Sequence, residues 1–382
     1  MESKLIIDFI RDTFNEKEAF IPLHAPYFGG NEKKYVLDTI ESTFVSSVGA
    51  YVNRFEEMMA QITGGKFAIA TVNGTTALHL ALVLAGVKHG DEVITQPLTF
   101  VATANAISHA GGVPVFVDVD IDTLGMSPAS LKAFVEANCI LADDGKCINR
   151  HTGKRIAACL PMHTFGFPLR IKEIADICTA YNIILVEDAA ESLGSYIGGR
   201  HTGTFGDIGI FSFNGNKTVT CGGGGALITN NEEIAQRAKH ISTTAKIPHP
   251  WEFVHDEIAY NYRMPNLNAA LACAQLEQLE LFIDNKRSLS NIYKDFFRGS
   301  DIEFVEERAS TTANYWLNTI LFKDKETQQD FLKDSNSRKV MTRPIWTLMN
   351  KLTMYQSCQS GDLTNASWLE ERVVNIPSSV RL

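Results

Sequence analysis

Between about residue 30 and residue 240, short apolar runs rich in β-branched residues alternate with segments of helical spacing. Few architectures accept that rhythm other than a mostly parallel sheet covered on both faces. Residues 75–85 read as a helix after a turn at Asn73-Gly74, residues 92–95 as a strand, 100–109 as a helix and 113–117 as a strand. Further strands are expected at 156–160, 183–186 and 208–213, with a helix at 171–181 between the first two. The fold class is therefore α/β, and in such sheets ligands bind beyond the carboxyl ends of the strands. The stretch 139–155 reads as a polar insertion or hairpin.

Past residue 245 the rhythm changes. Two prolines interrupt 247–251, residues 266–287 read as one long helix, and a strand at 315–322 and a helix at 325–332 follow. These boundaries predict a large domain over 1–245 and a smaller α+β domain over 246–382.

Three features carry chemistry. Val186-Glu187-Asp188-Ala189-Ala190 closes an apolar strand, so Asp188 faces the ligand crevice. Such an Asp either caps a helix or pairs with a cationic ring nitrogen, keeping that ring electron-withdrawing. Next, Asp207-Ile-Gly-Ile-Phe-Ser212-Phe-Asn-Gly-Asn-Lys217 precedes four consecutive glycines, Gly222 to Gly225. A lysine in a turn is commonly a solvated charge. Between a strand-end Ser212 and a glycine run that admits close backbone approach, it suits an amine that forms a Schiff base. Lastly, Asn73-Gly74-Thr75-Thr76 opens a helix, where free amides and the helix dipole favour an anion. It is neither a Walker loop nor a dinucleotide fingerprint.

Composition narrows the partners. The net charge is −9, from 35 basic and 44 acidic residues, with no basic block; nucleic acid is not expected as a partner. No stretch approaches the ~18 apolar residues of a membrane span, and the charged N-terminus has no apolar signal core, so a cytoplasmic protein without membrane contact is expected. The cysteines number seven, none in a Cys-x-x-Cys pair, as for reduced thiols. No metal site is expected.

Taken in order, these elements resemble the DegT/StrS family of sugar aminotransferases. The similarity extends through Ser46-Ser47-Val-Gly49, Gly74-Thr75-Thr76-Ala-Leu, Thr99-Phe100-Val-Ala-Thr-Ala-Asn-Ala-Ile, His163-Thr-Phe-Gly166, Glu187-Asp188-Ala-Ala, Gly203-Thr-Phe-Gly-Asp-Ile-Gly, Asn216-Lys217 and Asn261-Tyr-Arg263-Met. It implies the type I fold of pyridoxal-phosphate (PLP) enzymes, that of aspartate aminotransferase. It also implies roles: Lys217 as the Schiff-base amine and proton carrier, Asp188 as partner of the pyridine nitrogen, and Phe100 as a ring stacked on the cofactor. Gly74, Thr75 and Ser212 fall in the phosphate-binding set. Asn261 corresponds to a phosphate contact from a neighbouring subunit, which implies a homodimer with shared active sites. Glu191 stands where many relatives have Gln near the ring hydroxyl, and Gly222-Gly-Gly-Gly where many have Gly-Glu-Gly-Gly. His163 fits the pattern either in the site or as a buried structural histidine.

The runs from Phe20 to Asn31, from Phe44 to Glu56 and from Asn375 to Val380 are most similar to aminotransferases of legionaminic-acid and related surface-sugar pathways. That implies L-glutamate as amino donor and a UDP-linked 2-acetamido-4-keto-6-deoxyhexose as acceptor. Ser47, His163, Arg263, Tyr315 and Arg343 are the candidates for substrate contact, Asn314 and Trp316 beside them; a guanidinium such as that of Arg343 can grip a diphosphate. Two rivals remain: a PLP-dependent sugar dehydratase on the same fold, disfavoured because Lys217 is present, and a non-catalytic PLP-binding regulator, for which no DNA-reading segment is visible.

Overall fold

The computed structural model describes all 382 residues. Its centre is a seven-stranded sheet: β1 (Phe67–Thr71), β2 (Glu92–Thr95), β3 (Val113–Phe116), β4 (Ile156–Leu160), β5 (Ile184–Asp188), β6 (Ile208–Ser212) and β7 (Gly225–Thr229). The spatial order is β1-β7-β6-β5-β4-β2-β3. Neighbouring strands run parallel except β7, which is antiparallel to both β1 and β6. The strands are short, and β2, β4 and β7 are buried at every position, as expected of a sheet covered on both faces.

The helices are α1 (Ser3–Thr13), α2 (Glu32–Glu41), α3 (Ala50–Thr63), α4 (Gly74–Leu84), α5 (Val101–His109), α6 (Pro128–Asn138), α7 (Ile171–Ala180), α8 (Glu232–Ser242), α9 (Asn266–Leu276), α10 (Leu279–Phe297), α11 (Lys325–Ser337) and α12 (Thr364–Glu370). One apolar cluster joins α4 and α8 to the sheet through Leu78, Leu80, Val93, Val186 and Ile210. A second packs α6 and α7 on the sheet through Leu131, Phe134, Ile174 and Leu185. Helix α4 is apolar nearly all round (Ala77-Leu-His-Leu-Ala-Leu) and correspondingly buried. A second sheet, β8 (Glu303–Phe304), β9 (Asn318–Leu321), β10 (Arg343–Pro344) and β11 (Val373–Ile376), lies in the order β8-β9-β11-β10.

Two expectations change. The helix anticipated over 266–287 is broken at Gln278, whose φ of −105° and ψ of 5° leave helical geometry. Tertiary polar contacts fix the junction: Tyr35 Oη donates to Glu277 at 2.8 Å, and Gln278 Nε2 donates to the buried Glu32 at 2.7 Å. Helix α9 thereby stays against the large sheet with Phe211 and Phe213, while Leu289, Tyr293 and Phe297 of α10 join the second sheet. Packing also crosses the boundary expected at residue 245 in both directions. Ile6, Ile7 and Ile10 of α1 are buried with Phe331, Val373 and Ile376, and α9 with the large sheet. The insertion over 139–155 contains a hairpin, Cys139–Leu141 paired with Cys147–Asn149. No helix is long and apolar enough to cross a membrane, and all seven cysteines are unpaired.

Candidate active site

The carboxyl ends of β1, β2, β4, β5 and β6 open into one cavity of about 360 Å³. Its walls include Gly74, Thr75, Phe100, Thr103, Asp188, Glu191, Ser212, Lys217, Trp316 and Trp346. The volume falls within the range of small-molecule pockets.

At one end is the start of α4. Asn73 caps the helix: its Oδ1 accepts from the Thr76 amide at 2.8 Å, and Thr76 Oγ1 accepts from the Asn73 amide at 3.3 Å. The cap uses the amide of Thr76 and leaves those of Gly74 and Thr75 at the cavity wall. A Cβ on Gly74 would lie 2.8 Å from Ser212 Cβ, so glycine is what lets the helix start meet β6. Two amides, the hydroxyls of Thr75 and Ser212 and a helix dipole suit a phosphate.

At the floor lies Asp188, 2% exposed. Thr103 Oγ1 donates to its Oδ2 at 2.8 Å, and the Ala190 amide donates to its Oδ1 at 3.1 Å. Burial pushes this carboxyl above the usual carboxylate range; those two donors and the charge of Lys217 oppose the shift. A cation placed beside Asp188 would relieve the burial penalty, as a protonated ring nitrogen does.

Lys217 Nζ lies 3.0 Å from Glu191 Oε1. The same Nζ also lies over the indole of Trp316, 3.9 Å from its ring centroid. Glu191 is also raised by burial, with Lys217 lowering it. Its Oε2 accepts from the Phe165 amide at 2.8 Å. Phe165 holds a left-handed φ of 56°, and a Cβ on the next residue, Gly166, would fall 1.9 Å from Asn314 Oδ1. This tight bend directs the amide at Glu191. The departure from Gln at position 191 is thus accommodated by one fixed acceptor oxygen and one oxygen turned to the lysine.

Eight residues read from the sequence meet here: Gly74, Thr75, Phe100, Asp188, Glu191, Ser212, Lys217 and Trp316. Seven others lie outside the cavity, among them Asn314, which is buried with its Nδ2 donating to Glu191 O at 2.9 Å. His163 is fully buried; its Nε2 is 3.0 Å from Glu187 Oε2, and its Nδ1 accepts from the Leu169 amide at 3.3 Å. Glu187 itself also accepts from the amides of Gly203 at 2.8 Å and Gly206 at 2.6 Å. His163 is therefore a structural histidine beneath the site, not a substrate contact. Tyr315 is also buried, against Phe167 and with its hydroxyl 3.2 Å from the Glu307 amide, because the backbone turns sharply at φ 46° and sends the next side chain, Trp316, into the cavity. Arg343 is exposed on β10, Asn261 is exposed, and Arg263 Nε donates to Asn261 Oδ1 at 3.2 Å. Ser47 is partly exposed ahead of α3. Sequence reasoning missed Thr103, whose bond to Asp188 spans 85 positions, and Met162 and Asn214 on the wall. Thr103 falls one helical turn after Thr99, which is the only local sign of a polar helix face there.

Residues 26–382 match the DegT/DnrJ/EryC1/StrS aminotransferase family. The chain is 35% identical over 360 residues to the GDP-perosamine synthase of Escherichia coli O157:H7, covering 94% of this chain and 93% of that one. It is 37% identical over 327 residues to EpsN of Bacillus subtilis (strain 168), named as a pyridoxal phosphate-dependent aminotransferase, covering 85% and 81%. The structure of the aminotransferase TlmJ from Streptoalloteichus hindustanus superposes with a TM-score of 0.84 at 25% identity over 94% of each chain. The chain belongs to the DegT/DnrJ/EryC1/StrS aminotransferase family, and its cofactor is pyridoxal phosphate.

Proposed function

We infer that the protein transfers the amino group of L-glutamate to the ketone of a nucleotide-linked 4-keto-6-deoxy sugar, with Lys217 as the catalytic amine. The observation that carries this reading is the meeting of Lys217 Nζ, the buried Asp188 and the free amides of α4 in one cavity. Gly74, Thr75 and Ser212 would hold the cofactor phosphate, Phe100 would cover the ring, and Asp188 would hold the ring nitrogen positive. When bound, the cofactor supplies an electrophilic carbon and an electron-withdrawing ring.

The chain's own residues supply the rest. Lys217 Nζ takes the proton from the donor α-carbon and returns one at the sugar carbon in the second half of the cycle. Glu191 Oε1, 3.0 Å away, keeps that nitrogen oriented. The indole of Trp316 covers that nitrogen, with its ring centroid 3.9 Å from Nζ. Glutamate enters and 2-oxoglutarate leaves before the keto sugar enters and the amino sugar leaves.

The nucleotide divides two supports. The runs around Phe20, Phe44 and Asn375 favour a UDP-linked 2-acetamido sugar of the legionaminic-acid type, whereas the named relatives favour a GDP-linked one. Supplying both ketones in turn and measuring 2-oxoglutarate against amino sugar decides between them, and equal amounts of the two products distinguish transamination from dehydration. Asn261 and Arg263, outside the cavity of their own chain, are proposed to complete the site of a second copy in a homodimer. The exposed Trp251, Phe253 and Ile258 nearby (75%, 79% and 95% exposed) support a covered face there. Lys217→Ala is expected to abolish both 2-oxoglutarate formation and the visible absorbance of lysine-linked cofactor. An unchanged absorbance in that variant would overturn the assignment.

A further inference from the structure

Lys286, on α10, is fully buried, and its Nζ reaches backbone oxygens alone. It donates to Ser378 O at 2.6 Å and Trp316 O at 3.0 Å, with Tyr315 O at 3.5 Å. An ammonium has three donors and no acceptor, so three converging carbonyls match it. None of these carbonyls belongs to a strand of the second sheet; they lie just outside β9 (Asn318–Leu321) and β11 (Val373–Ile376). Burial pushes the amine's pKa down to about 7, and the carbonyl oxygens it donates to are the groups that accept from its charged form. Close by, both ring nitrogens of His24 are buried without a partner. Burial and the charges of Lys286 and Lys217 hold that imidazole well below its ordinary pKa.

Two successive carbonyls turn toward one amine because Tyr315 is left-handed, an uncommon state for a tyrosine. Backbone held in such a region marks a place where the surroundings impose the conformation. The same turn sets Trp316. Its amide donates to Asn314 Oδ1 at 2.8 Å, its Nε1 donates to Asn216 O at 2.7 Å, and its ring lies over Lys217 Nζ. A continuous set of contacts therefore runs from α10 through the kink to the catalytic amine.

We propose that Lys286 is a positioning residue of the active site: its buried ammonium fixes the kink at Tyr315 and Trp316, and so seats the indole of Trp316 against Lys217. The proposal rests on the reading of Lys217 as the cofactor-bearing amine. It adds a residue that touches neither cofactor nor substrate.

The test uses the holoenzyme in four forms: wild type, Lys286→Met, Trp316→Phe and the double variant. Three quantities are read: kcat, the pH midpoint of the bound cofactor's visible absorbance, and the thermal midpoint. Each single variant is expected to lower kcat about ten- to a hundredfold, the scale of a misplaced catalytic group. Both should move the absorbance midpoint in the same direction. The double variant should lose no more than the worse single one, because residues acting through one contact are not additive. A fully additive loss, or a wild-type absorbance midpoint in Lys286→Met, overturns the proposal. If Lys286→Met does not fold, Lys286→Gln, which keeps an N–H donor for the carbonyls, takes its place, and a wild-type absorbance midpoint in it overturns the proposal too. Lys217→Ala, run in parallel, separates this failure from failure of the Lys217 assignment, since only the latter leaves lysine-linked absorbance unchanged in that variant.

Discussion

Asp188 is costly to the protein alone and useful once a cation lies beside it. Its carboxyl is pushed up by burial, so just above the usual carboxylate range the folded chain binds more protons here than the unfolded chain does. Stability of the cofactor-free protein must then fall as pH climbs through that window. Glu191, raised for the same reason, acts in the same sense. Asp188→Asn removes the charge but keeps the shape and one acceptor. Cofactor-free Asp188→Asn is expected to unfold at the same or a higher temperature than wild type at about pH 8, with the difference shrinking toward about pH 4. Its kcat should nevertheless fall about 10²–10³-fold, as when one preorganised electrostatic group is removed. Thermal unfolding at the two pH values and steady-state kinetics check both halves. A variant less stable at the higher pH would show that the ionised carboxylate holds the apoprotein together.

Among the elements, the start of α4 governs how tightly an anion is held. Its capping box engages Thr76 and Asn73 with each other, so the first two amides face the cavity. Gly74 allows this because any Cβ there meets Ser212, with 2.8 Å to Cβ and 3.0 Å to Oγ. Gly74→Ala must push β6 and α4 apart, and overpacking of that kind costs about 1–3 kcal/mol. If the cost falls on the site, it appears as roughly ten- to a hundredfold weaker cofactor binding. Equilibrium titration of the apoprotein with pyridoxal phosphate measures it, and wild-type affinity would show that the helix start does not hold the phosphate. Strands β2 to β6 were legible in the sequence because burial on both faces leaves short, mostly apolar runs, with Glu92 and the acidic pair Glu187-Asp188 at strand ends. Strands β1 and β7 were not, since Phe67-Ala-Ile-Ala-Thr and Gly225-Ala-Leu-Ile-Thr include small residues that do not stand out locally. The break between α9 and α10 was equally hidden, because Glu32 and Arg54, far off in the chain, impose it on Gln278 and Glu277.

For the whole molecule, what covers the segment around Trp251, Phe253 and Ile258 matters most. Backbone pairing of Thr243 with Asn261 and Lys246 with His255 holds this segment as an arm, and its large apolar side chains face outward. In the proposed homodimer that arm lies on the second copy and brings Asn261 to the other cavity. Trp251→Ser with Phe253→Ser is expected to shift the protein toward monomer and to weaken cofactor binding at the same time. Sedimentation at several concentrations, read beside cofactor titration, checks the link. A monomeric variant with wild-type cofactor affinity would separate assembly from the site.

The chain's own order of residues determined the α/β class, the strand ends that carry Asp188, Ser212 and Lys217, and the helix start at Gly74. These depend on local periodicity, on glycine's freedom and on the polarity of a helix terminus, all written within a few residues. Tertiary structure alone decided that Thr103 supports Asp188, that His163 serves Glu187 beneath the site, and that Tyr315 turns inward while Trp316 covers the lysine. It also decided that Lys286 collects three carbonyl oxygens. Each of those pairings joins residues at least 24 positions apart, apart from the turn at Tyr315 itself. A contact across folded layers leaves no trace in local spacing, because burial and hydrogen-bond satisfaction are properties of the packed chain and not of its neighbours in sequence.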